Sequence, residues 1–219
     1  TRAYGFIDKT FVYSKHYILL KREATHRDSR HIMVISAEVN TSSDDRSWDN
    51  FLEASLHGQF QQSSSWAGAK INEGWSPARL LLRADGCIIG GVQVLWKKTR
   101  FGPLGFANKG PVVQAGAPEV LREACRRLAE LQAQQGWRAL IVQGPDLDSS
   151  VTTELKAVGF FESRVIRAID TTLVVDLSGG WAAVQSHFRK TIQRQSRQAP
   201  QRGVVFTEGR ETDIDFFFR

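Results

Sequence analysis

The segment PEVLREACRRLAELQAQQG, Pro118 to Gly136, constrains the fold more than any other stretch of the chain. It opens on proline followed by Glu119, repeats Leu121, Ala124, Cys125, Leu128 and Leu131 at helical spacing, and stops at glycine. The spacing predicts a helix over Pro118–Gln135 with one apolar stripe, and such a stripe requires a surface to cover. The residues that follow supply it. RALIVQGP is a short apolar run suited to a central strand, VTTELKAV reads as a helix ended by Gly159, and TLVVDL reads as another strand. Strand, helix, strand, helix, strand is the pattern of a layered α/β sheet with flanking helices.

Upstream, Phe11–Leu20 and His31–Val39 read as two β-branched and aromatic strands joined by a charged turn. The polar stretch NTSSDDRSWDN follows, with a helix-capping serine or aspartate before Trp48. We therefore divide the chain into an unassigned strand pair and linker over residues 1–46 and a main domain over residues 47–219. Within that domain, Arg79–Leu82 and Gly86–Lys97 read as a hairpin around ADG, where the Asp–Gly pair favours a tight turn. Toward the end, a helix from Trp181 to Ala199 is predicted with Trp181, Val184, Phe188 and Ile192 on its core face. Lys190, Arg194 and Arg197 then fall on the opposite face. GVVFTEGRETDIDFFFR reads as a strand and the start of a helix whose phenylalanines still need a core, so the natural protein is expected to continue past Arg219.

Charge narrows the partners. The 219 residues carry a net charge of +6, which favours phosphates, nucleic acid or an acidic membrane face. His187 to Arg202 holds five Arg or Lys and no acid. No apolar run approaches the roughly 20 residues a membrane helix needs, so membrane contact is expected to be at most peripheral, at the inner face. The first residues lack the apolar core and cleavage site of a signal peptide. Cys87 in an apolar run and Cys125 at a helical core position read as packed thiols, and the five histidines fall at no ligand spacing. The expectation is a reducing cytoplasm and no metal.

GQFQQSSSWAGAKINEGW, Gly58 to Trp75, is polar, aromatic and glycine-rich at once. Lys70 suits a phosphate as a mobile point charge, serine and glutamine suit sugar hydroxyls, and Trp66 suits a ring face. Trp66 and Trp75 fit equally as core anchors, residues 61–65 as a helix cap, and Lys70 as a solvated surface charge.

Together with CIIGGVQVL, GFANKGPVV, LKAVGF, TLVVDLS, a basic helix and RGVVF, this segment resembles the Fem family of non-ribosomal peptidyltransferases, in order from about Trp48 to Arg219. The resemblance implies a GNAT-like acyltransferase fold and most of the first of two such domains. It implies transfer of an amino acid from aminoacyl-tRNA, with no other cofactor, to the side-chain amine of a UDP- or lipid-linked peptidoglycan precursor. It implies that the Gly58–Trp75 segment lines the precursor cleft. Lys70 with Arg189 or Arg194 on the basic helix then meets the diphosphate, and the cationic surface suits tRNA, although the same stripe fits a solvated helix face. In NKGPVV, the resemblance implies that Gly110 and Pro111 fix a bend, that Lys109 can face an anion, and that Gln114 stands where some relatives carry an acid; the turn fits equally as a plain strand connection. Gln114 can orient an amine but cannot take its proton, so no catalytic base is assigned.

Two other classes compete with this reading. One is a GNAT N-acyltransferase of exopolysaccharide or cell-envelope metabolism. Its coenzyme A pyrophosphate would need a Gly-rich loop opening a helix, and neither QAQQGW nor DLSGGW supplies one. The other is a non-catalytic precursor-binding domain. The oligomeric state, the amino acid transferred and the acceptor residue have no sequence signal.

Overall fold

Residues 10–13, 16–20, 34–145, 149–163 and 171–217 are described by the computed structural model of the chain. The helix expected from Pro118 forms as α3 (Pro118–Gln134). Proline sits in its first turn, and Gly136 follows at φ 64°, the left-handed geometry that lets glycine end a helix. The hairpin forms as β4 (Ser76–Ala84) and β5 (Cys87–Thr99), closed by Asp85 and Gly86 at φ 50° and 80°. Two consecutive positive φ values match the twist of the flanking strands.

The remaining strands complete a mixed sheet. β6 (Gly102–Asn108) follows β5, β7 (Val112–Val113) pairs back onto β5, and β8 (Ala139–Gln143) runs parallel to β6 after the α3 crossover. From upstream come β2 (His16–Leu20) and β3 (Ser36–Asn40), and from downstream β9 (Phe161–Glu162). The order among the described residues is β3-β4-β5-β6-β8-β2-β9, with β7 beside β5. All pairs are antiparallel except β6 with β8. β1 (Thr10–Tyr13) and β10 (Thr171–Val174) pair separately.

Alternation along the strands builds two cores. On one face Leu80, Val92, Val94, Leu140 and Val142 meet Leu121, Cys125, Leu128 and Leu131 of α3 and Leu155 of α4 (Ser150–Ala157). On the other, Trp48 and Leu52 of α1 (Arg46–Ala54) pack on Leu81 and Val112. A fully buried leucine such as Leu128 contributes roughly 1.5–3 kcal/mol by leaving water.

The chain gathers into two units, Val12–Thr172 and Thr1–Phe11 with Leu173–Arg219. The second contains α5 (Gly180–Ser186), α6 (Lys190–Gln198) and α7 (Ile214–Phe217).

Several expectations are corrected. The stretch Phe11–Leu20 forms two strands rather than one, with Ser14 and Lys15 outside the described residues. The second predicted strand is displaced to Ser36–Asn40, with His31–Met33 also outside them. These strands do not pair with each other: β2 lies against β8 and β9, and β3 against β4. The helix expected over Trp181–Ala199 breaks at 187–189. There Ser186 Oγ donates to Ala183 O at 2.7 Å, and Gln193 Nε2 caps Gln185 O at 3.2 Å and Phe188 O at 2.9 Å, so side chains replace the helical ladder. Trp181 and Ile192 are exposed rather than core-facing, although Trp181 and Phe188 do meet edge to face at 5.8 Å. Gly203–Arg210 forms no strand, because no described strand pairs with it. Cys125 is buried as expected, whereas Cys87 at the start of β5 is exposed.

Candidate functional site

The Gly58–Trp75 segment reaches into the protein at Gln62. β5 and β6 pair from Thr99 opposite Gly102 to Leu95 opposite Phe106, then separate, and β7 takes up β5 at Gly91 and Gly90. Gln62, in a 3-10 turn over Phe60–Gln62, fills the gap. Its Oε1 accepts Gln93 N–H at 2.7 Å, and its Nε2 donates to Asn108 O at 2.6 Å and Gln93 O at 3.2 Å. One carboxamide thus does the work of a missing stretch of strand, which explains why a fully buried glutamine is tolerated. Gly110 is required beside it, since a Cβ there would sit 2.9 Å from the carboxamide. Trp48 Nε1 donates to Gln62 O at 2.7 Å, fixing the turn from below.

The network continues through two buried side chains. Gln93 Oε1 accepts from Arg79 Nη2 at 2.7 Å and Nε at 3.1 Å, and Arg79 Nη1 faces Asp45 Oδ2 at 3.4 Å. Asp45 also caps α1 through Trp48 N at 3.0 Å and accepts from Ser47 and Asn40. Burial raises the pKa of the Asp45 carboxyl, but these hydrogen bonds and Arg79 outweigh it and hold the group below the usual carboxylate range. Burial pulls the Arg79 guanidinium below its ordinary value against the attraction of Asp45, Asp49 and Asp44.

Two side-chain acceptors near the gap stand apart. Gln61 Oε1 and Asn108 Oδ1 are buried, and among the described residues no group donates to either. They flank Gln62 in sequence and across its hydrogen bond, and both atoms are closed to solvent.

Beyond the gap the segment turns outward. Ser63 caps α2 (Ser64–Ile71) through Trp66 N at 3.1 Å. Trp66 meets Phe60 edge to face at 5.3 Å, and Lys70 Nζ lies 4.9 Å from its ring centre and 2.7 Å from Glu73 Oε1. Phe60 is 64% exposed, so the pair presents an apolar face beside a positioned ammonium. Within the stretch read as a helix cap, Ser63 is the cap; Trp66, read also as a core anchor, is only half-buried, and it and Lys70 border solvent.

The other candidates are distributed. Lys109 is buried in the turn after β6, at φ 59°, preceding the cis Gly110–Pro111 bond. The Gln114 side chain is exposed, and its N–H extends the β7 edge to Ile89 O at 2.9 Å. Arg189 is the residue before α6, and Arg194 lies on that helix. Lys190, Gln193, Arg194, Arg197, Gln198 and Gln201 line a groove of about 510 Å³. Its cations recur at positions 190, 194 and 197, on one helical face with no acid among the lining residues. Trp66, Lys70, Lys109 and Gln114 belong to the Val12–Thr172 unit, and Arg189 and Arg194 to the other. Arg79, Gln93 and Asn108 were not singled out by sequence, and Gln61 and Gln62 were read as part of a helix cap or as partners for sugar hydroxyls rather than as a bridge between strands. The one available signal was the glutamine pair inside an otherwise surface-like segment.

Comparison with known proteins follows from this geometry. The FemAB family model matches residues 44–219, which include the polar gap, the Trp66–Lys70 patch and the α6 groove. No curated protein matches. Among solved structures, a crystal structure of FemX is 25% identical over 57% of this chain and 32% of its own, with a TM-score of 0.48. A tandem GNAT protein from the clavulanic acid biosynthesis pathway is 13% identical over 69% of this chain and 50% of its own, with a TM-score of 0.49. The ribosomal-protein-alanine N-acetyltransferase from Brucella melitensis biovar Abortus 2308 is 15% identical over 62% of this chain and all of its own, with a TM-score of 0.44. The part matched spans about a third of the length of FemX.

Proposed function

With residues 44–219 matched, the chain belongs to the FemAB family, and from that premise we propose that it forms part of an aminoacyltransferase of peptidoglycan bridge synthesis. The donor is aminoacyl-tRNA and the acceptor is the side-chain amine of a UDP- or lipid-linked precursor. The neutral amine attacks the ester carbonyl, a C–N bond forms, the C–O bond to the terminal ribose breaks, and the amine proton passes to solvent or to the departing hydroxyl. The family match carries this reading.

The local chemistry is consistent with it. Lys70 suits a phosphate oxygen, and the Phe60–Trp66 face suits the ring of a sugar or base. The α6 groove suits the tRNA backbone, which attracts lysine and arginine irrespective of sequence.

Calorimetry with a UDP-linked muropeptide and with acetyl-coenzyme A, alongside a gel shift with charged tRNA, tests the proposal. The muropeptide is expected to bind and Lys70→Ala to weaken it about tenfold, the loss expected for one charged hydrogen bond. Saturable binding of acetyl-coenzyme A with none of the muropeptide would replace this reading by an acyl-coenzyme A transferase. Equal muropeptide affinity in Lys70→Ala would remove Lys70 from the site.

A further inference from the structure

The β5–β6 turn is the most distinctive surface that the proposed reaction leaves unused. β4 pairs with β5 only as far as Trp96, and β8 pairs with β6 only from Leu104. Beyond these limits Lys98 and Thr99 pair with Pro103 and Gly102. Two residues of strand extend the hairpin by roughly 7 Å past the paired part of its neighbours. At its apex Phe101 is 69% exposed, with the Arg100 guanidinium 4.5 Å from the ring centre.

The turn is held in shape. Thr99 Oγ1 donates to Gly102 O at 2.7 Å and accepts from Phe101 N at 3.2 Å, while Gly102 at φ 107° takes a conformation that side chains disfavour. Cations surround it. Lys98 and Arg100 are exposed; Lys97 lies on the opposite strand face from Lys98, its Nζ 4.5 Å from the Trp75 ring centre. The exposed Arg138 joins them through its N–H to Pro103 O at 2.8 Å. Between Asp85 and Glu119 the sequence holds no acid to offset them.

We propose that this turn docks on an anionic lipid surface, with Phe101 entering the headgroup boundary and Lys98, Arg100 and Arg138 facing lipid phosphates. Charge complementarity selects the partner class: several cations around one protruding aromatic ring match the potential of an anionic leaflet. Single-stranded nucleic acid fits less well, because it is tracked by a groove carrying successive aromatic platforms, whereas here one ring stands on a convex turn. The proposal is independent of the transferase reading, since it uses no residue assigned to donor or acceptor.

Sedimentation of the chain with vesicles of phosphatidylcholine, with and without a third of phosphatidylglycerol, tests it. Binding is expected only to the anionic vesicles and to fall with added salt. Phe101→Ala is expected to weaken it roughly tenfold through lost apolar burial. The pair Lys98→Glu and Arg100→Glu should weaken it roughly a hundredfold, given the attraction lost and reversed at each cation. Arg46→Ala, on α1, should bind as the parent does, and thermal melts should show all variants folded. Equal partition onto neutral vesicles, or tip variants indistinguishable from the parent, would overturn the proposal. So would a parent that ignores vesicles and binds a single-stranded oligonucleotide through the same residues.

Discussion

Arg79 and Arg194 carry the same charge in opposite company. Arg79 is fully buried, bonded twice to Gln93 Oε1 and paired with Asp45, so its donors are committed within the protein. Arg194 lies exposed in a groove of glutamines and further cations. The first arrangement holds secondary structure together, and the second leaves a positive surface that an anion can complete. Arg79 and Arg194 thus differ in whether their donors are committed within the fold, and substitutions should separate the two.

The largest effect is expected at Arg79. Arg79→Ala removes the donors to Gln93 and leaves Asp45 buried without its counter-charge, a loss of roughly 3–5 kcal/mol. Denaturant unfolding measures it. A midpoint unchanged from the parent would mean that water replaces the guanidinium and that the pair is not structural. Gln62→Leu comes next, at roughly 2–4 kcal/mol, because Gln93 N–H and Asn108 C=O lose their partners at the strand gap. A stable Gln62→Leu protein would show that β5 and β6 can close over the gap.

These two residues also mark where the sequence stops being readable. α3 and the Asp85–Gly86 hairpin were legible because their signals are local: a repeat of apolar residues and a dipeptide suited to positive φ. The role of Gln62 was not, since its partners Gln93 and Asn108 lie 31 and 46 residues away and GQFQQSSSW has the composition of a surface. The break after α5 was hidden for a different reason. Trp181, Val184, Phe188 and Ile192 keep helical spacing across it, while the side-chain bonds that end the helix have no apolar signature. Lys70 and Trp66 were recognised as site candidates. The neighbouring acceptors Gln61 Oε1 and Asn108 Oδ1 emerged only once the strands were seen to part.

Acid sharpens the comparison at Asp45. Its native pKa lies below the unfolded value of about 3.9, so folding favours the ionised form. The resulting stability is fully present above about pH 4 and is lost as pH falls through the lower native value. Asp45→Asn should therefore flatten the acid limb of a stability profile while lowering stability near neutrality. An unchanged acid limb would show that other carboxylates dominate it.

The smallest effect on stability, and the sharpest contrast with Arg79, is expected at Arg194. Its side chain is exposed and bounded by Lys190 and Arg197, so truncation removes no buried partner and relieves some like-charge repulsion. Arg194→Ala should stay within about 0.5 kcal/mol of the parent in denaturant unfolding. If the groove takes a tRNA backbone as proposed, the same variant should weaken binding across tRNA sequences alike and reduce the slope of log affinity against log salt by about one. Lys190→Ala should do the same, because a polyphosphate chain counts charges rather than reading side-chain geometry. A variant that loses stability instead would place Arg194 with Arg79 among the structural cations. One that melts and binds as the parent does would leave the groove a solvated helix face and send the search for the tRNA surface elsewhere.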